Sequence, residues 1–444
     1  MAAGSAPDRS SGEPGASRVG RLLRLVGWAS LLAGLMFVGG TIPRAGESSR
    51  PCGAVGDHPT TSVPEPRPDP PGTAVHIEPG EGIQALVDSH PGATTFVIGS
   101  GRHLGQSVQP KEGNVFVGEQ GAVLDGGGVA QHAFKSGASR VTIRGLIIQN
   151  YATPYRDGAI AWSPGATGWT VEGNEVQHNQ ASGIRVGPGW EVVSNRIHHN
   201  GQYGINGSGD GVLIAWNEIA FNNTCRCNPG AEGGTKFVLT RGLQVRGNHV
   251  HDNHGVGLWT DINNTGTVYE GNLVVENSGA GIKVEVSYQT VVRLNVVEGN
   301  GFGERGRVRG AGILVNTSPS VEVHDNVVSG NRSAIVGFHQ DRSGTPAEPR
   351  YGEWALDDLW AHDNTIVRSG YVGVVTNTDD PVFSWSNRFD RNAYRADAHS
   401  RSFEWQGALL RFEDWQAAGQ DAGSTWVLCS ELEGMGRHNP PVLA

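Results

Sequence analysis

From residue 141 onward, hydrophobic positions alternate in short runs and never recur at helical intervals. VTIRGLIIQN, WTVEGNEVQHN, WEVVSNRIHHN, LQVRGNHVHDN, TVYEGNLVVEN and VEVHDNVVSGN are versions of one phrase. Such alternation predicts short β-strands with one buried face. An Asn closes the first run of each unit, at 174, 195, 217, 248, 272, 295, 326, 364 and 387. A second Asn follows five residues later at 179, 200, 222, 253, 277, 300, 331 and 392, while Ser369 stands in the remaining unit. A base interval of 21–24 residues is too short to enclose a core, so successive units are expected to stack as coils. Val, Ile and Leu then point inward. The Asn amides are read as structural groups that bond peptides left inside at the turns.

This Asn-marked unit resembles the right-handed parallel β-helix proteins of the pectate-lyase-like type, over residues 74–400. The resemblance implies an all-β fold: a right-handed parallel β-helix solenoid of about ten coils. It also implies an N-terminal cap helix around Ile83–Ser89 and a C-terminal cap segment carrying Leu409, Leu410, Phe412 and Trp415. Members of the family are mostly secreted and act on or bind polysaccharides.

Five regions follow: a tail (1–17), a signal anchor or signal peptide (18–44), a Pro-rich linker (45–73), the β-helix (74–400), and the C-terminal cap and tail (401–444). Leu25 to Ile42 is uncharged for 18 residues and is preceded by Arg18, Arg21 and Arg24. That pattern predicts a membrane-spanning anchor with the β-helix on the extracellular side, or a secreted protein if the segment is cleaved. Seven Pro in residues 51–71 make the linker an extended spacer that lifts the rest from the membrane.

Net charge is −10, and the first 50 residues hold six Arg against three acids, so the remainder is still more acidic. A nucleic-acid partner is thereby excluded. Cys52, Cys225, Cys227 and Cys429 permit disulfides in an exported chain, with the pairing open. Their spacing is a poor metal signature, and the histidines at 178, 198, 199, 249, 251 and 254 read as solvated turn residues.

Aligning the third run of each coil at Gly183, Gly204, Gly257, Gly281 and Gly312 gives two outward columns. One runs Arg185, Asn206, Trp259, Lys283, Leu314, with Lys236 filling the gap before Trp259. The next runs Gly187, Ser208, Asp261, Glu285, Asn316. Asp261 and Glu285 are expected side by side on a solvent-facing surface, where mutual repulsion raises one carboxyl. Asp261, Glu285 and Lys283 are the catalytic candidates. Trp259, Arg185, Asn206, Asn316, Arg305 and Arg307 are the substrate-binding candidates, Trp259 as a flat stacking face and the arginines for an acidic sugar. The insertions 223–236, 301–311 and 339–355 gather near these coils, and two of them, leaving at the turn before the third strand, would wall one side of this face.

The expected partner is a polysaccharide or cell-wall glycan, met by a monomer. A hydrolase would use Asp261 with Glu285; a lyase or C5-epimerase would use Lys283 or an Arg to take the proton alpha to a uronate carboxylate. No metal site is recognisable. Calcium is the one cofactor left open, because it would bridge an acidic protein to an acidic polymer. The reading from a different class is a non-catalytic glycan-binding or spacer protein.

Overall fold

The structure is a computed structural model that describes residues 52, 74–227, 232–378, 386–398 and 402–435. The expected anchor and nearly all of the linker lie outside these residues. Among the described residues, no helix is long and apolar enough to cross a membrane.

Among the described residues, each full coil contributes one short strand to each of three sheets, with 13, 13 and 12 strands. The first sheet runs from Val75–Ile77 to Arg388–Asp390, the second from Gly101–Leu104 to Thr425–Leu428 and the third from Phe134–Ser136 to Ala408–Leu410. Pairing between coils is parallel throughout, apart from the final antiparallel hairpin Phe403–Trp405 with Ala408–Leu410. The winding is therefore longer than the nine Asn-marked units. Its early coils carry other residues at the turns: Leu146 N donates to Asn174 Oδ1 and Tyr151 N to Asn179 Oδ1, so Leu146 and Tyr151 precede the ladders they support.

The two Asn series form continuous buried ladders. Asn248 shows the pattern: its Nδ2 donates to Asn272 Oδ1 at 3.0 Å and to Ile214 O at 3.0 Å. Its Oδ1 accepts from both the backbone N and Nδ2 of Asn217, each at 3.0 Å. One amide thus satisfies peptide groups on the coils around it, which a buried turn demands. Turning this sharply puts the residue before each ladder Asn in the left-handed region: Ser194 has φ 56°, Asp252 52° and Leu294 56°. The same ladder accounts for glycine at the start of the third strand. A Cβ on Gly257 would lie 2.9 Å from Asn277 Nδ2 and 2.7 Å from Gly281 O.

Two expectations change at the far end. Asn364 donates to Asn392 Oδ1 at 3.0 Å, so Asn392 continues the first ladder and does not belong to the second. Asn387 instead bonds Leu356 O and the backbone N of Leu359 at the preceding turn. The reason is a 28-residue last step from Asn364. The second ladder ends as expected, with Asn331 N donating to the Ser369 hydroxyl.

Both core openings are closed. The helix Ile83–Ser89 buries Ile83 and Val87 over the first coil. At the other end the helix Phe412–Ala417 buries Trp415, whose Nε1 donates to Asp421 Oδ2 at 2.6 Å, as does the Tyr394 hydroxyl. The disulfides pair Cys225 with Cys227 and Cys52 with Cys429. The second bond holds Cys52 against Val367 and Leu432 beside the C-terminal cap.

Replacing Asn248 with Ala strands the Ile214 carbonyl and the Asn217 N–H in a buried turn. A loss of about 2–4 kcal/mol is expected by urea unfolding. A loss below about 0.5 kcal/mol would mean that the ladder carries no stability.

Candidate functional site

Register on the third sheet sets the site. Asn206 pairs with Lys236, Trp259 with Lys283, Lys283 with Leu314, and Glu285 with Asn316. Lys236 fills the gap before Trp259, as the alignment anticipated, and Asp261 follows Thr260, which pairs with Val284. Asp261 and Glu285 are thus neighbours across one coil step of about 4.8 Å.

The surface is not solvent-facing. Trp259 is 3% exposed, Asp261 8% and Glu285 6%. Insertions bury it. Residues 339–355 are strapped down where Asn263 Nδ2 donates to Glu348 O at 2.9 Å and where Tyr288 Oη donates to Gly352 O at 2.8 Å. From this insertion Arg342 reaches back to Glu285 at 2.5 Å. A cavity of about 290 Å³ remains, lined by Trp259, Asp261, Lys283, Glu285, Asn316 and Arg342.

Each carboxylate in it is held by cations. Lys236 Nζ lies 2.7 Å from Asp261 Oδ2. Glu285 accepts from Lys283 on one oxygen, and from Arg342 and Asn316 Nδ2 on the other. Burial raises the Asp261 carboxyl and the Glu285 charge raises it further, against the pull of Lys236. Burial also opposes charge on Glu285, but Lys283 and Arg342 override it and hold this group down to about 2. The two carboxyls are driven apart in the sense expected of a paired site.

Trp259 does not offer an open stacking face. Lys236 Nζ and Lys283 Nζ sit 3.6 and 4.2 Å from its ring centroid, since the coils above and below place a lysine at the same register position. Arg307 is also committed elsewhere. It pairs with Glu404 at 2.7 Å and stacks over Tyr371, so it ties its insertion to the C-terminal cap. Arg305 is exposed and does not line the cavity, whereas Arg309 from the same insertion does. Asn206 donates to Arg156 O at 3.0 Å. With Arg185, Tyr155, Tyr203 and Lys236 it lines a second cavity of about 320 Å³.

Arg342 escaped the sequence reading because insertions carry no coil register. The turn histidines form an ordered row of ring contacts: His178 tilted against His199, His199 stacked on Phe221 and Phe221 edge-on to His251, with centroids 5.0–5.6 Å apart. Among the described residues, no group of three or more His, Cys, Asp or Glu is placed to hold a metal ion.

A family model described as "right handed beta helix region" matches residues 158–328. No curated protein sequence matches the chain. Among solved structures, a complex of XylC with xylose superposes with a TM-score of 0.56 at 13% identity, covering 73% of this chain and 84% of that one. The A-module of the Azotobacter vinelandii mannuronan C-5 epimerase AlgE4 gives 0.50 at 17% identity, covering 70% and 88%. The PL6 family alginate lyase AlyGC gives 0.50 at 14% identity, covering 75% of this chain and 53% of its own. At such identities the likeness is one of fold, and it agrees with the three parallel sheets: the chain winds as a right-handed parallel β-helix of the pectate-lyase-like kind.

Proposed function

We propose that this protein binds an acidic polysaccharide on its third sheet and transfers a proton at the carbon alpha to a uronate carboxylate, giving elimination or epimerisation. The observation that carries this reading is the buried cluster in which Lys236, Lys283 and Arg342 surround Asp261 and Glu285 beside a cavity. The structural neighbours AlgE4 and AlyGC, named as an epimerase and an alginate lyase, support the substrate class.

Hydrolysis by a carboxyl pair fits less well. It needs a second carboxylate with a free oxygen for water or for the sugar, and both Glu285 oxygens are occupied. Glu285 is better suited to fixing Lys283 and Arg342. Those cations would offset the substrate carboxylate, on which charge grows as the proton leaves. Asp261, with its raised carboxyl, would accept that proton. The glycosidic oxygen on the next carbon then leaves with its bonding electron pair and takes up a proton as the hydroxyl of the released fragment, giving an unsaturated uronate; return of a proton to the opposite face of the alpha carbon instead yields the epimer. A non-catalytic glycan-binding role is the second reading, favoured by the fact that Lys236, Lys283 and Arg342 are already ion-paired.

Incubation with polygalacturonate, alginate and glycosaminoglycans is expected to give either unsaturated-uronate absorbance or an inverted C5 signal by NMR. Asp261→Asn should lower the rate about a hundredfold or more while binding persists. Binding with neither product from the unaltered protein would establish the second reading.

Glu285 has a separate signature in stability. Its folded carboxyl lies at about 2 against an ordinary value of 4.5. Its stabilisation is therefore complete above about pH 4.5 and disappears as pH falls towards 2. The shift corresponds to about 3 kcal/mol. Glu285→Gln is expected to cost roughly that amount at pH 7, with the difference from the unaltered protein closing between pH 4.5 and 2. A difference that stays constant over this window would contradict the assigned ion pairs.

A further inference from the structure

Only four lysines occur in the chain, and three of them, Lys135, Lys236 and Lys283, stand in one outward column of the third sheet. The pairings Lys135–Ala161, Ala161–Arg185, Arg185–Asn206 and Asn206–Lys236 make the column continuous to Trp259 and Lys283. A cation therefore recurs on every second coil, at Lys135, Arg185, Lys236 and Lys283. The coils between carry Ala161, Asn206 and Trp259, none of them charged. Beyond Lys283 the column turns apolar at Leu314 and Val336.

Two coil steps span about 9.6 Å. One pyranose in an extended chain advances the polymer by roughly the spacing of one coil step. The column thus offers a positive charge once per two sugars. Lys236 is matched by Asp261, but shared carboxylates leave the rest of that charge partly unbalanced: Asp157 lies within ion-pair reach of both Lys135, at 2.6 Å, and Arg185, at 3.7 Å. Glu285 likewise serves both Lys283 and Arg342. The intervening rows carry no charge, and Asn206, whose Oδ1 is buried without a hydrogen-bond partner, lines the second cavity between Arg185 and Lys236.

We infer that this column is built for a polysaccharide in which uronate and neutral sugars alternate, extended along the coil axis with its carboxylates on Lys135, Arg185, Lys236 and Lys283. A homopolymer of uronates would place every second carboxylate against an uncharged row. This inference rests on the polysaccharide reading above and narrows its substrate class.

Binding of defined oligosaccharides to the full-length protein tests it separately from turnover. Hyaluronan fragments, which alternate uronate with N-acetylhexosamine, are compared with oligogalacturonates and oligoalginates of equal length. Decasaccharides of hyaluronan are expected to bind about tenfold more tightly than either homopolymer. Lys135 lies six steps, about 29 Å, from Lys283. Lys135→Gln should therefore weaken decasaccharide binding about fivefold and leave hyaluronan tetrasaccharide binding within about twofold, which also reports that the variant is folded. Equal or tighter binding of the homopolymers would overturn the inference, as would an equal loss for tetrasaccharide and decasaccharide. Tight homopolymer binding with product formation would do so while leaving the proposed reaction intact. Selective hyaluronan binding without any product would sink the reaction and leave the inference standing.

Discussion

The structure depends on the side-chain amide of asparagine acting as a peptide surrogate. A coil of 21–24 residues must turn sharply inside its own core, and each turn leaves N–H and C=O groups away from water. One Asn per turn supplies an acceptor for two donors on one neighbouring coil and a donor to the other, so the cost of burying each turn is met by the next coil. Removing that interaction would leave no register, and without register the outward columns of the third sheet would have no meaning.

Register turns a one-dimensional spacing into a two-dimensional surface. Lys236, Trp259 and Lys283 are 23 to 24 residues apart in the chain and adjacent in space, where both ammonium groups lie against the indole ring. The adjoining column brings Asp261 and Glu285 together in the same way. What converts that surface into a site is burial by the insertion 339–355, anchored through Asn263 and Tyr288. Burial separates the two carboxyls, since Arg342 reaches Glu285 from this insertion and leaves Asp261 with Lys236.

Much of this was legible from residue spacing. The strand alternation, both Asn series up to Asn364 and Ser369, the cap helix Ile83–Ser89 and the third-sheet columns all follow from a repeating unit with a fixed period. Departures occur where periodicity stops. The early coils close their turns without Asn, so the solenoid extends beyond the marked units. Asn392 takes the first-ladder place expected of Asn387, which bonds the preceding turn instead, because an irregular step follows Asn364. Arg307 reaches across 97 residues to Glu404, a contact with no local signal. Alternation also assigned Asp261 and Glu285 correctly to the outer face, but outward is not the same as exposed when an insertion lies over that face.

Disulfide trapping tests the central claim, that one coil step places residue 261 directly beside residue 285. In the paired variant Asp261→Cys with Glu285→Cys, Cα atoms about 4.8 Å apart suit a disulfide. Mild oxidation is expected to join the two nearly completely. Asp261→Cys with Asn316→Cys is two steps apart, about 9.6 Å, and should stay reduced under the same conditions. Efficient bonding of 261 to 316, or none between 261 and 285, would contradict the register on which the site is built.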